Sequence, residues 1–561
     1  MKVIVIGGVA GGASAAARVR RLDEAAEVIM FERGEHVSFS NCGLPYYLSG
    51  EIDASDKLIL MNPEKFWKRY HIDARVNQEV LEIDRDRKSL SVKNLETGEI
   101  YQEGYDKLVL SPGANPILPQ SIEGVGLPHV FTVRNVKDIV RLKDYAMGNA
   151  KEVVVVGGGF IGVEVAENLA LSGKKITLVE AADQILMPFD YDMVQILHKE
   201  AMDHGIRLIL GDGVSKIEQD KVTLSSGMEI QAGTVVMAIG VAPETYLARK
   251  AGLKIGETGG IKVNHNYQTS DADIYAIGDA IEVYHRLTHR PARLALAGPA
   301  QRQARAAASH MYGEFHNNCG VIGSCAVKFF DLNGAATGLN EKAAKASGIS
   351  YDFAYVQTND KVSIMPDSAP LHLKLLFEYP TGRILGAQAV GKGNVDKRVD
   401  VIAAMITMGG TLEDLKELEL CYSPVFGTAK DAVNQAALVG LNILYGRVKQ
   451  VPVTRVRDLV ETQAYMIDVR EADEFEKGHV KNAVNIPLSE FRERIGEIPM
   501  DKPVYLYCRT SHRSYSACLA LMHRGYREVY NVSGSFQGLC LYEYYNDVTT
   551  GRTRIVTDYV F

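Results

Sequence analysis

A glycine-rich turn between an apolar strand and a helix constrains this chain more than any other feature. Lys151 to Gly162 reads K-E-V-V-V-V-G-G-G-F-I-G, in which Gly157, Gly159 and Gly162 complete the pattern G-x-G-x-x-G. The glycines let the backbone approach a pyrophosphate, and the N-terminus of the following helix donates N–H groups to it. The stretch therefore predicts a parallel α/β unit that binds a dinucleotide.

The next predicted strand ends on a carboxylate. Ile176-Thr177-Leu178-Val179 is followed by Glu180, and no arginine stands directly after it. A carboxylate at this position accepts hydrogen bonds from a free ribose 2′-hydroxyl and repels a 2′-phosphate. We therefore predict that this unit binds NADH rather than NADPH.

A second, less regular glycine turn opens the chain. Val3 to Gly12 reads V-I-V-I-G-G-V-A-G-G, so Gly7 and Gly12 take the first and third glycine positions and Val9 takes the second. Glu32 closes the following strand, 20 residues past Gly12, where a carboxylate can bind a ribose. Two dinucleotide units in one chain indicate an electron relay from NADH through a second bound nucleotide.

The thiol for such a relay lies close behind the first unit. Cys42 stands in the run S-F-S-N-C-G-L-P-Y-Y, residues 38–47, which predicts a strand exit that enters a Gly-Pro turn. A neighbouring flavin and helix dipoles are expected to favour its thiolate, the nucleophilic form. None of the seven cysteines forms a C-x-x-C pair, so neither a metal site nor a thioredoxin-type motif is predicted.

Size, charge and hydropathy narrow the remaining classes. A chain of 561 residues predicts several domains, and a net charge of −7 without a strongly basic half argues against a nucleic-acid partner. No apolar run reaches 18 residues and no signal-peptide pattern is present. We therefore expect a cytoplasmic protein with no membrane partner.

Two later stretches carry a family resemblance. Residues 105–114 read as a strand that ends in a small-residue turn at Gly113, and residues 269–279 read T-S-D-A-D-I-Y-A-I-G-D. With these stretches the chain resembles the two-dinucleotide flavoprotein disulfide reductases, in which the pattern T-S-x-x-x-I-Y-A-x-G-D binds FAD. The resemblance implies that Gly113 and Asp279 bind FAD, with Asp279 at the ribityl chain.

The resemblance also bears on the substrate. Many members carry a second cysteine in C-x-x-x-x-C, whereas Tyr47 takes that position here, so Cys42 is predicted to be a lone redox cysteine. Its oxidised form would be a mixed disulfide, a persulfide or a sulfenic acid. Members that reduce oxygen or peroxide carry a histidine where this chain has Ala10. The Cys42 stretch resembles instead the members that reduce CoA disulfides, CoA persulfides or polysulfides.

A CoA site is implied by the same members. Its contacts map by position onto Ser14, Arg18, Arg21, Ser38 and Asn41. Arg18 and Arg21 are three residues apart on the first predicted helix and share a face, where they could meet the phosphates. The alternative is that Arg18, Arg20 and Arg21 form a solvated helical face.

Residues 321–445 resemble the family's dimerisation domain, which implies a homodimer with a shared active site. Tyr422 and Lys430 match a stretch that reaches the partner subunit's Cys42. Tyr422 would stabilise a thiolate leaving group, and Lys430 would pair with a CoA phosphate or carbonyl. A packed aromatic residue beside a proline turn is the alternative for Tyr422. Ile364 and Met365 stand where CoA-disulfide reductases usually place paired tyrosines. Hydrosulfide is a smaller leaving group than CoA and needs less help from such hydroxyls, so this difference favours persulfide substrates.

The last 110 or so residues have their own βα rhythm. They contain D-V-R at 468–470, G-H-V at 478–480 and A-V-N-I-P at 483–487, and a buried-looking strand ends at Cys508. This part resembles a rhodanese, a sulfurtransferase domain. A strand–loop–helix turn aims backbone N–H groups at Cys508, and Arg513 with its neighbours Arg509 and His512 adds positive charge that favours the thiolate. Ser511 replaces a glycine that is common there.

The predicted fold is α/β throughout, with two dinucleotide-binding (Rossmann-like) domains, an α+β dimerisation domain and a C-terminal α/β rhodanese domain. The predicted boundaries are 1–115 with 250–320 for FAD, 116–249 for NADH, 321–445 for dimerisation, 446–452 for a linker and 453–561 for the rhodanese domain. The predicted activity is NADH- and FAD-dependent reduction of CoA persulfide. The alternatives are a CoA-disulfide reductase, an NADH oxidase or peroxidase, and a non-catalytic sulfur carrier.

Overall fold

The computed structural model describes residues 1–149, 151–316 and 318–561. The chain divides into two compact units, the first comprising residues 1–183 and 209–321 and the second residues 184–208 and 322–561. The strand Arg207–Leu210 contains one of the division points. None of the helices in the described ranges combines the length and apolar character needed to cross a bilayer.

The first unit contains a five-stranded sheet in which every pair of neighbours is parallel. Its strands, in spatial order, are Ile274–Ala276, Lys107–Leu110, Lys2–Ile6, Glu27–Phe31 and Asp73–Arg75. The central strand is apolar and buried from Val3 to Ile6. The helix Ala10–Leu22 packs against it, and the antiparallel strands Gln78–Asp84 and Ser89–Asn94 belong to the same hydrophobic cluster. The helices Ala10–Leu22 and Ala297–Met311 pack on each other through buried alanines, whose small side chains permit close approach.

A second parallel sheet in this unit carries the complete glycine turn. It includes Lys175–Glu180, Glu152–Val156, Thr234–Met237 and Val130–Phe131, in that order. The other strands of the unit form smaller antiparallel sheets: Gln78–Asp84, Ser89–Asn94 and Ile100–Gly104; Val214–Ile217, Lys221–Leu224 and Glu229–Gln231; Ala114–Pro116 and Val241–Pro243; Val283–His285 and Arg290–Ala292. Its other helices are Leu44–Ser49, Pro63–Tyr70, Val136–Asn149, Phe160–Leu171 and Tyr246–Lys250.

The second unit contains an antiparallel sheet and a parallel sheet. The antiparallel strands, in spatial order, are Cys325–Phe329, Leu332–Gly338, Ile384–Gly391, Pro370–Glu378 and Tyr351–Asn359. The parallel strands are Lys449–Pro452, Val529–Ser533, Val504–Tyr507, Tyr465–Asp468 and Val484–Asn485. The helices are Tyr191–Asp203, Glu341–Ala346, Val395–Met408, Leu412–Lys416, Ala432–Leu444, Val456–Glu461, Ala472–Lys477, Phe491–Arg494, His512–Met522 and Ser535–Thr550.

The predicted linker over 446–452 is wrong for its second half. Lys449–Pro452 is a strand that pairs in parallel with Val529–Ser533 at the edge of the last sheet. The segment is short, largely polar and contains a proline, so its sequence does not indicate a strand. Pro452 is tolerated because the strand lies at the sheet edge, where no further strand needs the missing N–H. The linker that precedes the parallel sheet is therefore shorter than the sequence predicted.

A buried lysine ties separate elements of the second unit together. The Lys374 side chain is fully buried, and its ammonium lies 2.8 Å from Asp192 and 3.2 Å from Asp190, with Glu341 also in contact. Burial by itself would lower the pKa of Lys374, but the attraction of these three carboxylates raises it overall. Lys374 is therefore charged at neutral pH and joins three elements.

Candidate active site

Both glycine turns hold a carboxylate in the same way. Glu32 accepts hydrogen bonds from the backbone N–H groups of Gly8 at 2.9 Å and Gly34 at 2.8 Å. Glu180 accepts them from Gly158 at 2.6 Å and Ala182 at 2.8 Å. Each carboxylate is thus fixed at the carboxyl end of a parallel strand beside a helix N-terminus, which is where a dinucleotide binds in such sheets.

The glycines of the complete turn fit a dinucleotide for separate steric reasons. Gly157 has a φ of +111°, and a Cβ there would lie 2.4 Å from the carbonyl oxygen of Ala238. A Cβ on Gly162 would lie 1.8 Å from the carbonyl oxygen of Gly157. A Cβ on Gly159 would meet nothing within 4 Å, so the backbone there faces open space that a pyrophosphate can enter. Gly7 repeats the restriction of Gly157, and Gly12 repeats that of Gly162.

The FAD residues predicted from the resemblance lie at one edge of the first sheet. Gly113 follows the strand Lys107–Leu110, and Asp279 follows the neighbouring strand Ile274–Ala276. Burial raises the pKa of the Asp279 carboxyl. Because Gly7 ends the adjacent strand of the same sheet, these residues present donors and acceptors suited to FAD at its carboxyl edge.

Coenzyme preference gives a direct test of Glu180. Replacing Glu180 with Gln removes the charge that opposes a 2′-phosphate, so the ratio of kcat/KM for NADPH to that for NADH should rise about tenfold, equivalent to about 1.4 kcal/mol. Initial rates with each coenzyme measure this ratio. The matched variant Glu32→Gln should weaken FAD retention and leave the coenzyme ratio unchanged. An unchanged ratio in Glu180→Gln would contradict the assignment.

Cys42 lies in a short 3-10 turn, Asn41–Gly43, that runs directly into the helix Leu44–Ser49. The predicted Gly-Pro turn is therefore wrong: Pro45 occupies the first turn of that helix, where its missing N–H costs nothing. The residue is exposed, yet neighbouring atoms partly desolvate its sulfur. This desolvation, with the carboxylates of Glu164 and Asp279, raises the pKa of Cys42, so the protein groups favour the thiol.

The helix after Cys42 packs against the helix that begins at the complete glycine turn. Leu44–Ser49 contacts Phe160–Leu171, and the Ser49 hydroxyl donates to the Asn168 side chain at 2.7 Å. Glu164 extends from the second helix toward Cys42, and burial, with the nearby Glu167, raises its pKa to about 7. The helix that follows the complete glycine turn therefore lies beside the thiol. Glu164 is not among the residues predicted from the sequence, although it stands two residues past Gly162.

Tyr47 occupies the place of a second cysteine. Lys143 donates to the Tyr47 carbonyl oxygen at 2.6 Å, and its ammonium lies 3.9 Å from the centre of the tyrosine ring. This cation–π contact fixes the ring beside the Cys42 helix. Position 47 therefore offers a held aromatic ring and no sulfur to Cys42.

A cavity of about 370 Å³ in the first unit collects most of the predicted CoA residues. Ser14, Arg18, Arg21 and Ser38 line it, and Asn41 does not. Two further arginines that the sequence analysis missed, Arg69 and Arg305, also line it. Four guanidinium groups around one cavity favour a ligand with several phosphates.

The solvated-face alternative for the first helix is wrong for two of its arginines. The Arg18 side chain is 16% exposed, and it binds Glu314 and the Ser309 hydroxyl, each at 3.0 Å. Arg20 is buried, and its guanidinium donates to the backbone carbonyls of Tyr70, His71, Asp23 and Glu24. Arg20 is therefore structural, and Arg18 and Arg21 are the members of this group that face the cavity.

The residues predicted to reach the partner subunit lie in the second unit. Tyr422 is 51% exposed, so it is not the packed aromatic residue of the alternative interpretation. Lys430 is also exposed, one residue before the aspartate that caps the helix Ala432–Leu444. Ile364 is 83% exposed. Their contact with the partner subunit's Cys42 stays a prediction.

The second thiol site lies at the end of the strand Val504–Tyr507. Cys508 is buried there, and Ser511, with a φ of +71°, turns the loop into the helix His512–Met522. Arg513 forms a paired contact with Glu474, at 2.6 and 2.8 Å. The carboxylate of Glu474 is the main cause of the raised pKa of Arg513, and the Cys508 thiol adds to it. The guanidinium of Arg513 therefore lies near this thiol. The sequence analysis missed Glu474, which orients Arg513.

Three family models match successive parts of the chain. The model described as pyridine nucleotide-disulphide oxidoreductase matches residues 1–304, more than half of the chain. The chain belongs to the pyridine nucleotide-disulphide oxidoreductase family. The dimerisation domain of this family matches residues 324–433, and a rhodanese-like domain matches residues 453–541. The predicted fold class is confirmed, and the chain is an oxidoreductase that uses FAD and a pyridine nucleotide. The domain boundaries other than that of the linker stay predictions.

The relatives share this domain composition in whole or in part. Coenzyme A disulfide reductase of Staphylococcus epidermidis is 33% identical over 435 residues, covering 77% of this chain and 98% of the relative. The reduced Bacillus anthracis CoADR-RHD structure is 44% identical with a TM-score of 0.94, covering 97% of this chain and 98% of that one. A NAD-dependent persulfide reductase from A. fulgidus is 33% identical with a TM-score of 0.91, covering 96% and 99%.

Proposed function

We propose that this oxidoreductase reduces CoA persulfide and related small persulfides or polysulfides with electrons from NADH, through Cys42. The observation that carries the proposal is the environment of Cys42, an exposed thiol that lies near Glu164 and Asp279 and has Tyr47 in place of a second sulfur. Such a thiol has to react with an external sulfur compound. The match to the persulfide reductase from A. fulgidus supports the same class of substrate.

The reaction at Cys42 balances as a two-electron reduction. The thiolate attacks one sulfur of the persulfide, a new sulfur–sulfur bond forms on Cys42, and hydrosulfide or the CoA thiolate leaves with the electron pair of the broken bond. Glu32, Gly113 and Asp279 would hold FAD, and Glu180 would hold NADH; the two cofactors together would supply the electron pair that cleaves the new bond. The sum is one NADH and one proton consumed for one CoA thiol and one hydrogen sulfide.

The chain's own residues bind the substrate and handle charge. The arginines of the 370 Å³ cavity would bind the CoA phosphates, and Ser38 extends that cavity toward the Cys42 turn. Glu164 has a pKa of about 7, so near neutral pH it takes up a proton readily. A neutral Glu164 no longer opposes the Cys42 thiolate. On the partner subunit, Tyr422 would donate to the departing thiolate and Lys430 would pair with CoA.

The rhodanese-like domain supplies a second sulfur reaction. Cys508 would accept a sulfane sulfur or pass it to a low-molecular-weight thiol, with Arg513 beside its charge. The persulfide made in this way is the substrate of Cys42. A protein that only carried sulfur would not need the two nucleotide turns.

A second candidate is a CoA-disulfide reductase, which the Staphylococcus epidermidis relative favours. Against it stands the turn near Ile364, which presents exposed hydrocarbon where such enzymes place tyrosine hydroxyls. A bulky CoA thiolate would leave without the paired tyrosine hydroxyls of those enzymes, with Tyr422 of the partner subunit as the remaining donor. An NADH oxidase or peroxidase is less favoured because Ala10 replaces the histidine of those enzymes.

Steady-state NADH oxidation with CoA persulfide, CoA disulfide, polysulfide and peroxide, measured side by side, tests the proposal. We expect kcat/KM for CoA persulfide to exceed that for CoA disulfide at least about tenfold, a difference of about 1.4 kcal/mol in transition-state binding. Faster turnover of CoA disulfide would establish the second candidate instead. Peroxide should be the poorest of the four.

A further inference from the structure

The last helix begins against a strand of the antiparallel sheet. Gly534 and Gly538 stand one helical turn apart and face the strand Tyr351–Asn359. A Cβ on Gly534 would lie 2.9 Å from the Tyr355 ring, and a Cβ on Gly538 would lie 2.9 Å from the Gln357 amide nitrogen. The absence of side chains therefore allows the helix start to contact the strand directly. The Gln357 amide uses this approach to donate to the Gly534 carbonyl at 2.8 Å.

The next residue, Ser535, reaches the thiol of the rhodanese-like domain. It is fully buried and has a φ of +49°, a conformation that costs a residue with a side chain about 1 kcal/mol or more. Its hydroxyl oxygen accepts the N–H of Cys508 at 3.0 Å. Its own proton therefore stays available, and the Cys508 sulfur lies 3.9 Å away.

The other hydroxyl near this sulfur has a better acceptor. Ser514 lies 3.6 Å from the Cys508 sulfur, but the side-chain oxygen of Asn531 is only 2.7 Å from the same hydroxyl. One hydroxyl has one proton, and the short contact to an oxygen is the stronger of the two. Ser535 is therefore the hydroxyl whose proton is free to serve the sulfur.

We propose that Ser535 donates a hydrogen bond to the sulfur of Cys508, and that Gln357, from the dimerisation domain, positions Ser535 by holding Gly534. The inference rests on the proposed sulfur-transfer role of Cys508 and adds two residues to it. Ser535 touches the reacting atom. Gln357 acts on Ser535 indirectly, by its hydrogen bond to the turn at Gly534. In this way the antiparallel sheet contributes to the chemistry of the rhodanese-like domain.

Thiosulfate and cyanide are suitable probes of this chemistry. The Cys508 thiolate attacks the outer sulfur of thiosulfate, a sulfur–sulfur bond forms on Cys508, and sulfite leaves with the electron pair of the broken bond. Cyanide then takes the outer sulfur as thiocyanate, and the electron pair of that bond returns to Cys508 as a thiolate. A donor at the Cys508 sulfur stabilises the negative charge that develops in the second step.

Ser535→Ala and Ser535→Gly, made in the full-length FAD-loaded protein, test the hydroxyl. Ala keeps a side chain in the left-handed conformation, and Gly removes both the side chain and its strain. We expect kcat for thiocyanate formation to fall about tenfold in both, with KM for thiosulfate unchanged, as for the loss of one hydrogen bond to a charged group. A glycine variant with the unaltered kcat would overturn the proposal.

Gln357→Ala tests the positioning, with Gln450→Ala as its matched control. Gln450 also donates its amide to this strand, to Phe353 at 2.8 Å and Asp352 at 2.9 Å, but it does not contact the turn at Gly534. Gln357→Ala should lower kcat about threefold at constant KM, since it removes only part of the effect of the hydrogen bond, whereas Gln450→Ala should not. Equal losses in both variants would show general undocking and overturn the proposal.

The variant Cys508→Ser distinguishes a failure of the proposed role of Cys508 from a failure of the proposed roles of Ser535 and Gln357. Thiocyanate formation that persists in Cys508→Ser would remove the proposed role of Cys508 itself. Formation that is lost there but unaltered in Ser535→Ala and Gln357→Ala would overturn the present proposal alone.

Discussion

Replacing Cys42 with serine is expected to reduce NADH-dependent turnover of CoA persulfide by about a thousandfold or more. A serine hydroxyl is not ionised near neutral pH and cannot form the sulfur–sulfur bond that stores the substrate's oxidising equivalent. Position 47 offers no replacement sulfur, because Lys143 holds a tyrosine ring there. The loss should therefore appear in kcat rather than in KM.

Rapid-mixing absorbance measurements distinguish this loss from a loss of cofactor. Cys42→Ser should retain FAD and should still be reduced by NADH, because the glycine turns and Glu180 are untouched. Cys319→Ser is the matched control, since Cys319 is also an exposed thiol of the same unit, and it should keep full turnover. Turnover retained in Cys42→Ser would remove Cys42 from the mechanism.

Replacing Lys374 with methionine is expected to lower the free energy of unfolding by about 3–5 kcal/mol, the effect of breaking a buried ion pair on one side. Methionine fills much of the same volume but leaves Asp190, Asp192 and Glu341 without their shared cation. Denaturant unfolding followed by far-ultraviolet circular dichroism measures the change. Lys392→Met, which removes an exposed pair with Asp331, should cost less than about 1 kcal/mol.

The loss in Lys374→Met should depend on pH. Burial raises the pKa of Asp190 while Lys374 opposes that rise, so removing Lys374 raises the pKa further. The folded variant then binds more protons than the unfolded chain, and its stability increases as pH falls through the raised pKa. The pKa of Lys374 is raised in the folded protein. Its contribution to the free energy of unfolding is therefore constant below about pH 10, which is near the pKa of lysine in the unfolded chain. The difference between the two proteins should therefore be larger at pH 8 than at pH 5, and a pH-independent difference would contradict this account.

Features that depend on neighbouring residues could be predicted well from the sequence. The turns at Gly7 and Gly157 and the carboxylates Glu32 and Glu180 lie within single βα units, where backbone sterics and strand ends fix their places. The same holds for Cys508 at the end of its strand. The edge strand Lys449–Pro452 was missed because its pairing partner lies about 80 residues away in the chain.

The sequence by itself determined the two nucleotide turns, the lone thiol and the domain classes, because each is encoded by a short run of residues. Only the tertiary structure decided which distant groups meet those thiols. Glu164 approaches Cys42 because two helices pack. Ser535 approaches Cys508 from the last helix, and Gln357 holds the turn before that helix. These tertiary contacts are determined by packing and by hydrogen bonds between buried polar groups, whose partners are not close in sequence.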